Sequence, residues 1–272
     1  MGWIDEPQTL TAAVIFVAAV VLTGILRLIF DPRRASLGPA IMIPMALFVV
    51  IGAPKFPTAS PFDQIAILGF AGFVLGAFVE LEGLNQWPRR ALIILAPPAG
   101  LIWIIARGND FGLAMADRNF TVFLVIGVGI AAARVSRGKG SAVTAPVLLM
   151  LAAGGLSVVS WISGVIALAQ ITAVIGLLVG GFFVWNWPKY RYPPGAALVV
   201  GAATPLAAAS GVLILDGRAN GTSVAILSLI FFSDWLAGFV SLGGSPVARA
   251  MRPVMVIVIS GVFIALAVAI GN

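Results

Sequence analysis

Cysteine and histidine are both absent from the 272 residues of this chain, and only 10% of its residues are charged. The first two absences exclude disulfides, Cys or His metal sites, iron–sulfur clusters, His-ligated haem and any Ser-His-Asp or Cys-His machinery. The scarcity of charge excludes an ordinary water-soluble surface, since globular domains carry roughly a quarter charged residues. P-loop, HExxH and DDxxD sequences are also missing. Nothing in the pattern calls for a cofactor or metal.

Apolar residues make up 61% of the chain and fall in runs separated by short stretches of Arg, Pro, Gly and Asp. Runs of about 20 residues match a hydrocarbon core at helical rise. Strands are excluded because a membrane barrel alternates apolar and polar residues, whereas 10–30 is apolar on every face. The reading is an all-α, polytopic transmembrane bundle of about ten spans, forming one integral membrane domain over 1–272. Five spans are placed at Leu10–Phe30, Leu37–Ala53, Ile65–Val79, Ala91–Ile105 and Phe120–Ala133. Five more follow at Ala142–Val159, Ile162–Val184, Ala196–Ile214, Val224–Leu242 and Val254–Ile270. The uncharged stretch from Ala142 to Pro188 would make one helix about 70 Å long. A turn within Ser160–Gly164 divides it into two spans.

Lys and Arg set the orientation. With loops taken alternately, one side holds Arg27, Arg33, Arg34, Arg89, Arg90, Arg134, Arg137, Lys139, Lys189, Arg191, Arg249 and Arg252. The other side holds Lys55, Arg107, Arg118 and Arg218. Such asymmetry puts the first set in the cytoplasm and both termini outside. The net charge of +6 is spread over span ends without a stripe or interleaved aromatics, which argues against nucleic acid. Asp5 and Glu6 stand where a cleaved leader would carry positive charge, so the first span reads as a retained anchor. The expected partners are the lipid bilayer and a membrane protein or a second copy. The expected location is a bacterial cytoplasmic membrane.

Pro39, Pro146 and Pro253 lie 107 residues apart, and Pro98 and Pro205 share that offset. Gly72 and Gly176 are 104 apart, and Trp87 and Trp187 are 100 apart. The order suggests a parallel four-helix repeat of spans 1–4 and 5–8 with a half-copy in 9–10, over residues 9–107, 119–215 and 222–271.

Asp234 leads the candidate site residues. It falls near the middle of the ninth span, where a carboxylate costs several kcal/mol and must face an interior or a wet cavity. Its functional reading is a proton or cation site; the plainer one is a protonated side chain bonded to a neighbouring helix. Glu80 and Glu82 close the third span, and the repeat sets Asn186 opposite Glu82. These three suggest a polar head-group pocket, against the plainer reading of interfacial ion pairs. Gln170 in the seventh span reads as a solute ligand or as an interhelical hydrogen-bond partner, the latter role also expected of Ser157, Ser160 and Ser163. Pro98 and Pro205 are candidates for breaking helices around a site, and the Gly72/Gly76 and Gly176/Gly180 pairs for close packing. The sequons at Asn119 and Asn220 read as coincidence. Asp216-Gly217-Arg218-Ala219 matches only the start of a CDP-alcohol phosphotransferase motif, and Glu80–Gly83 lacks the Ser/Arg-rich partner of undecaprenyl-pyrophosphate phosphatases. Neither resemblance transfers a residue.

Three function classes follow. The first is a secondary transporter or exporter of a small or lipid-like solute, coupled to protons through Asp234. The second is a non-catalytic subunit that packs against partner membrane proteins. The third is an enzyme acting on a lipid-linked substrate, which ranks last because interfacial polar groups are few.

Overall fold

The computed structural model describes residues 6–29, 34–56, 58, 60–81, 85–107, 118–136, 144–187, 192, 194–240 and 246–271. Among them there is no strand. The helices are α1 (Glu6–Ile29), α2 (Leu37–Ile51), α3 (Pro61–Leu81), α4 (Gln86–Ala106), α5 (Arg118–Ser136), α6 (Thr144–Ile162), α7 (Ile166–Asn186) and α8 (Ala196–Leu215). After these come α9 (Gly221–Ser228), a 3-10 turn at Leu229–Phe232, α10 (Ser233–Gly238) and α11 (Pro246–Gly271). Seven stretches of the described residues are long and apolar enough to cross a membrane, with α9 through α10 counting as one. Three shorter apolar helices accompany them at Ala13–Ile29, Leu37–Ile51 and Leu124–Val135. This is a multi-pass helical membrane protein. In hydrocarbon every backbone N–H and C=O needs a partner within the protein, and a helix supplies them from its own turns.

The central element is α8, whose spanning stretch is 89% buried; that of α11, at the edge, is 17% buried. Large side chains such as Val49, Leu95 and Val262 point outward from α2, α4 and α11. In water such surfaces would be costly; against acyl chains they are not. Contact between α3 and α8 depends on missing side chains. A Cβ on Gly76 would lie 2.5 Å from Ala197 Cα, and one on Gly72 would lie 2.9 Å from Val200 O. The two backbones therefore touch along one face, as small residues one turn apart allow. Gly176 in α7 likewise faces Ala153 of α6, at 3.3 Å from its would-be Cβ. Both glycine pairs are packing devices, as their spacing suggests.

Local chemistry sets the helix ends. Ser60, Pro61 and Asp63 start α3: Ser60 N donates to Asp63 Oδ2 at 3.0 Å, and Asp63 N donates back to Ser60 Oγ at 3.1 Å. This reciprocal box satisfies two donors that the first turn leaves open, and Pro61 has no N–H to satisfy. Asn220 starts α9, its side chain accepting from Thr222 N at 2.9 Å. That is a use for this asparagine other than glycosylation. The uncharged stretch does divide into two helices: α6 ends at Ile162, Gly164 takes φ +77°, and α7 begins at Ile166. Ser157 Oγ then donates across the hairpin to Ala169 O at 2.8 Å. The turn sits slightly later than the expected Ser160–Gly164.

Pro98 and Pro205 do not interrupt their helices. α4 runs through Pro97 and Pro98, and α8 through Pro205. The Pro205 ring instead sits beside Gly69, 3.8 Å from where a Cβ would stand, and the Pro98 ring sits equally far from the would-be Cβ of Gly129. The break falls in the ninth apolar run, where four 3-10 residues separate α9 from α10 without any proline. Ser233 and Asp234 open the short α10, residue types that favour a helix start.

Gly76→Leu is expected to abolish monodisperse protein in mild detergent, because the α3–α8 backbones must separate to admit it. Gly154→Ala, whose added carbon meets nothing within 4 Å, is expected to purify like wild type. Size-exclusion profiles of the two variants check this, and a normal profile for Gly76→Leu would contradict the packing.

Candidate functional site

At the end of the bundle where α3 stops and α8 starts, Glu80 is half-buried. Its carboxylate accepts from Ser36 Oγ at 3.1 Å and from Ala197 N at 3.3 Å, while Ser36 Oγ accepts from Gly195 N at 3.0 Å. The first turn of a helix leaves four N–H groups open and carries partial positive charge. Glu80 at the end of α3 and Ser36 just before α2 thus cap α8. A Cβ on Gly195 would collide with the Glu80 carboxylate and the Ser36 hydroxyl, so a side chain there would displace the cap. Arg89 ties the same segment by donating to Pro194 O at 2.9 Å.

Asn186 holds the other side of this loop. Fully buried, it accepts from Tyr192 N at 2.7 Å and donates to Phe182 O at 3.3 Å. Arg27 lies 5.5 Å from the Trp185 ring centre and 5.4 Å from that of Tyr192, within cation–π range of both. Trp185 Nε1 donates to Val20 O at 2.9 Å, fastening α7 to α1. Glu80 and Asn186 therefore hold opposite sides of the α7–α8 connection. Glu82 lies outside the described residues. Gln170 is half-buried on α7 and belongs to none of these hydrogen-bonded groups.

Asp234 has a different setting. It stands in α10 four residues before the end at Gly238, not at mid-span, because the ninth run starts and stops earlier than its hydropathy suggests. Its Oδ1 accepts from Arg134 Nη2 at 2.8 Å, with the two side chains 30% and 27% exposed. Arg134 Nε donates to Phe231 O at 2.8 Å, and its guanidinium lies 4.8 Å from the Phe232 ring centre. One arginine at the end of α5 thus takes up a carbonyl at the 3-10 break and neutralises the carboxylate just beyond it. Next to Asp234, Ser233 and Ser260 of α11 share a buried hydrogen bond of 2.8 Å.

Beside this pair a cavity of about 160 Å³ lies between α4, α5, α6, α8 and α9. Leu124, Gly127 and Ala131 of α5 face Leu206 and Ser210 of α8 across it, and Phe231 closes the end next to Arg134. The wall is almost wholly apolar. The hydroxyls that reach it are used within their own helices, Ser210 on Ala207 O at 2.7 Å and Ser228 on Ala225 O at 2.6 Å. Such a space favours hydrocarbon over ions or sugars. Among the described residues no cluster of three acidic side chains is placed to hold a metal ion.

Sequence reading singled out Asp234 but assigned Arg134 to topology, and it missed the cavity. A carboxylate in an apolar span signals the need for a cation, but nothing local points to Arg134, 100 residues away in the chain. No comparable signal marks the cavity, since its lining is as apolar as everything around it. No protein-family model matches the chain, and no curated protein matches it either.

Replacing Glu80 with Ala is expected to lower stability by about 1 kcal/mol through the lost cap, with Glu80→Gln keeping part of it. Thermal unfolding in detergent measures this, and unchanged melting for Glu80→Ala would show that the carboxylate does not hold α8. For the ion pair, a double-mutant cycle with Arg134→Gln and Asp234→Asn should give a coupling of about 0.5–1 kcal/mol, the modest size reflecting partial exposure. Strictly additive effects would mean that the two charges do not interact.

Proposed function

We propose that this protein is a secondary transporter or exporter of a lipid-like solute. The observation that carries the reading is the apolar cavity between five helices, with the Arg134–Asp234 pair at one end. A wall of this kind offers nothing to a sugar or an inorganic ion and suits a hydrocarbon chain. α5 forms one side of the cavity, and the arginine near its end bonds to the break between α9 and α10. Loosening that bond would let α5 swing and open the cavity sideways, a rigid-body route of the sort transporters use.

The finer organisation belongs to the same proposal. The seven long and three shorter apolar helices serve as ten spans, the basic ends face the cytoplasm, and both termini lie outside. Spans 1–4 and 5–8 act as related units with a half-copy in 9–10, the membrane is a bacterial cytoplasmic one, and the protein catalyses no covalent step. Coupling to protons would run through Asp234, which exchanges Arg134 for a proton as the break opens.

A second reading, a non-catalytic subunit packed against other membrane proteins, is favoured by one observation: Asp234 is bonded to Arg134. Vesicle experiments separate the two. Reconstituted protein is expected to raise transfer of a fluorescently tagged dodecanoate between leaflets above the empty-vesicle rate, and to carry protons with it. Asp234→Asn should abolish the proton flux. Transfer at the empty-vesicle rate would overturn the transporter reading, and equal proton flux in both proteins would remove the coupling.

A further inference from the structure

We propose that the cavity is the tail half of a site for an anionic amphiphile with a single hydrocarbon chain, whose headgroup is received by Arg134 and Arg252. This deepens the transporter reading and rests on it only for what happens to the molecule after binding.

The tail half follows from shape and chemistry. The cavity runs between Leu124 and Val224 at one end and Val135 and Phe231 at the other, with no unsatisfied hydroxyl along Ser210 or Ser228 to hold water. Small residues widen it: Gly127 and Ala131 on α5 face Ala207 on α8. A Cβ added to Gly127 would meet nothing within 4 Å, so the space extends to the α5 backbone itself. One chain fits such a slot side by side with the helices. A headgroup would then emerge at the end marked by Phe231, whose carbonyl Arg134 already holds.

The sign of the headgroup follows from the charges gathered there. Arg134 spends one N–H on Phe231 O and one on Asp234, out of the five a guanidinium carries. Arg252 of α11 is exposed and places Nη2 4.0 Å from the would-be Cβ of Gly238, one helical turn beyond Asp234 on α10. Among the described residues Arg252 has no carboxylate within ion-pair range. Among the described residues, Arg134 on one side of α10 and Arg252 beside Gly238 thus set two guanidiniums against the single carboxylate of Asp234, a positive excess near the Phe231 end of the slot. A planar fork of donors suits the oxygens of a carboxylate or a phosphate. Asp234 and the Phe232 ring act as positioning groups that set the plane of the Arg134 fork. Carboxylate-headed and phosphate-headed chains share this chemistry, and the experiment tells them apart.

The test is binding to the purified chain in neutral detergent, read by energy transfer from its tryptophans to a polyene fatty acid. Hexadecanoate and hexadecyl phosphate compete, alongside hexadecanol, hexadecyltrimethylammonium and inorganic phosphate alone. One or both anionic chains should displace the probe, the tighter one identifying the headgroup. The alcohol is expected to be about tenfold weaker, as losing a charge-assisted hydrogen bond implies, and the ammonium and free phosphate should not compete. Gly127→Phe, which fills the slot from α5, is expected to weaken the probe at least about tenfold while the melting temperature stays near wild type. Gly127→Leu replaces it if the larger side chain prevents folding. Arg134→Gln with Arg252→Gln should remove the preference for anion over alcohol. Competition by the ammonium equal to that by the acid, or binding unchanged in a folded Gly127 variant, would overturn the proposal. Binding without vesicle transfer would sink the transporter reading and leave the site standing; transfer unaffected by Gly127→Phe would do the reverse.

Discussion

Hydrocarbon does not accept hydrogen bonds, and most features of this chain follow from that constraint. A backbone that crosses such a medium must bond within itself, which selects helices and makes each helix end a place where polar groups are needed. Several polar side chains serve such ends. Ser60 and Asp63 close one helix start, Asn220 another, and Glu80 with Ser36 a third. Arg134 does the same for the carbonyl at the 3-10 break between α9 and α10. With only 10% charged residues available, few are left over.

Packing obeys a related economy. Lipid competes with helices for contact, so association cannot rely on hiding apolar surface from water and must come from close fit. The glycine face of α3 against α8 provides that fit at the centre, and Gly176 on α7 provides it against α6. The same small residues produce the opposite result on the α5 side. There Gly127 and Ala131 line a cavity with Ala207, and a Cβ added to Gly127 would meet nothing within 4 Å. A void in a protein interior forfeits contacts on both its walls. Its Phe231 end lies next to Arg134, which bonds the Phe231 carbonyl and Asp234, and this gives the void chemical direction.

Much of the architecture was legible in the sequence because hydropathy reports the solvent directly. The apolar runs, the divided stretch between Ala142 and Pro188 and the glycine pairs all correspond to helices, a turn and close contacts. Prolines were a poorer guide. Pro98 and Pro205 sit inside unbroken helices, whereas the 3-10 break between α9 and α10 carries no proline. Glu80 and Asn186 were recognised as a polar group at one end, but their role in holding the α7–α8 connection depends on Ser36, Gly195 and Tyr192, which no local pattern connects to them. Asp234 was visible as an anomaly, and its partner was not, since 100 residues separate the pair.

Which helix faces meet lipid can be measured directly. The chain has no cysteine, so a single spin-labelled cysteine at Val262 on α11, where the native side chain is 62% exposed, reports one position without background. In reconstituted bilayers the label should collide readily with dissolved oxygen and hardly at all with a water-soluble nickel chelate. Free access of the chelate to Val262 would place that face in water and contradict the account.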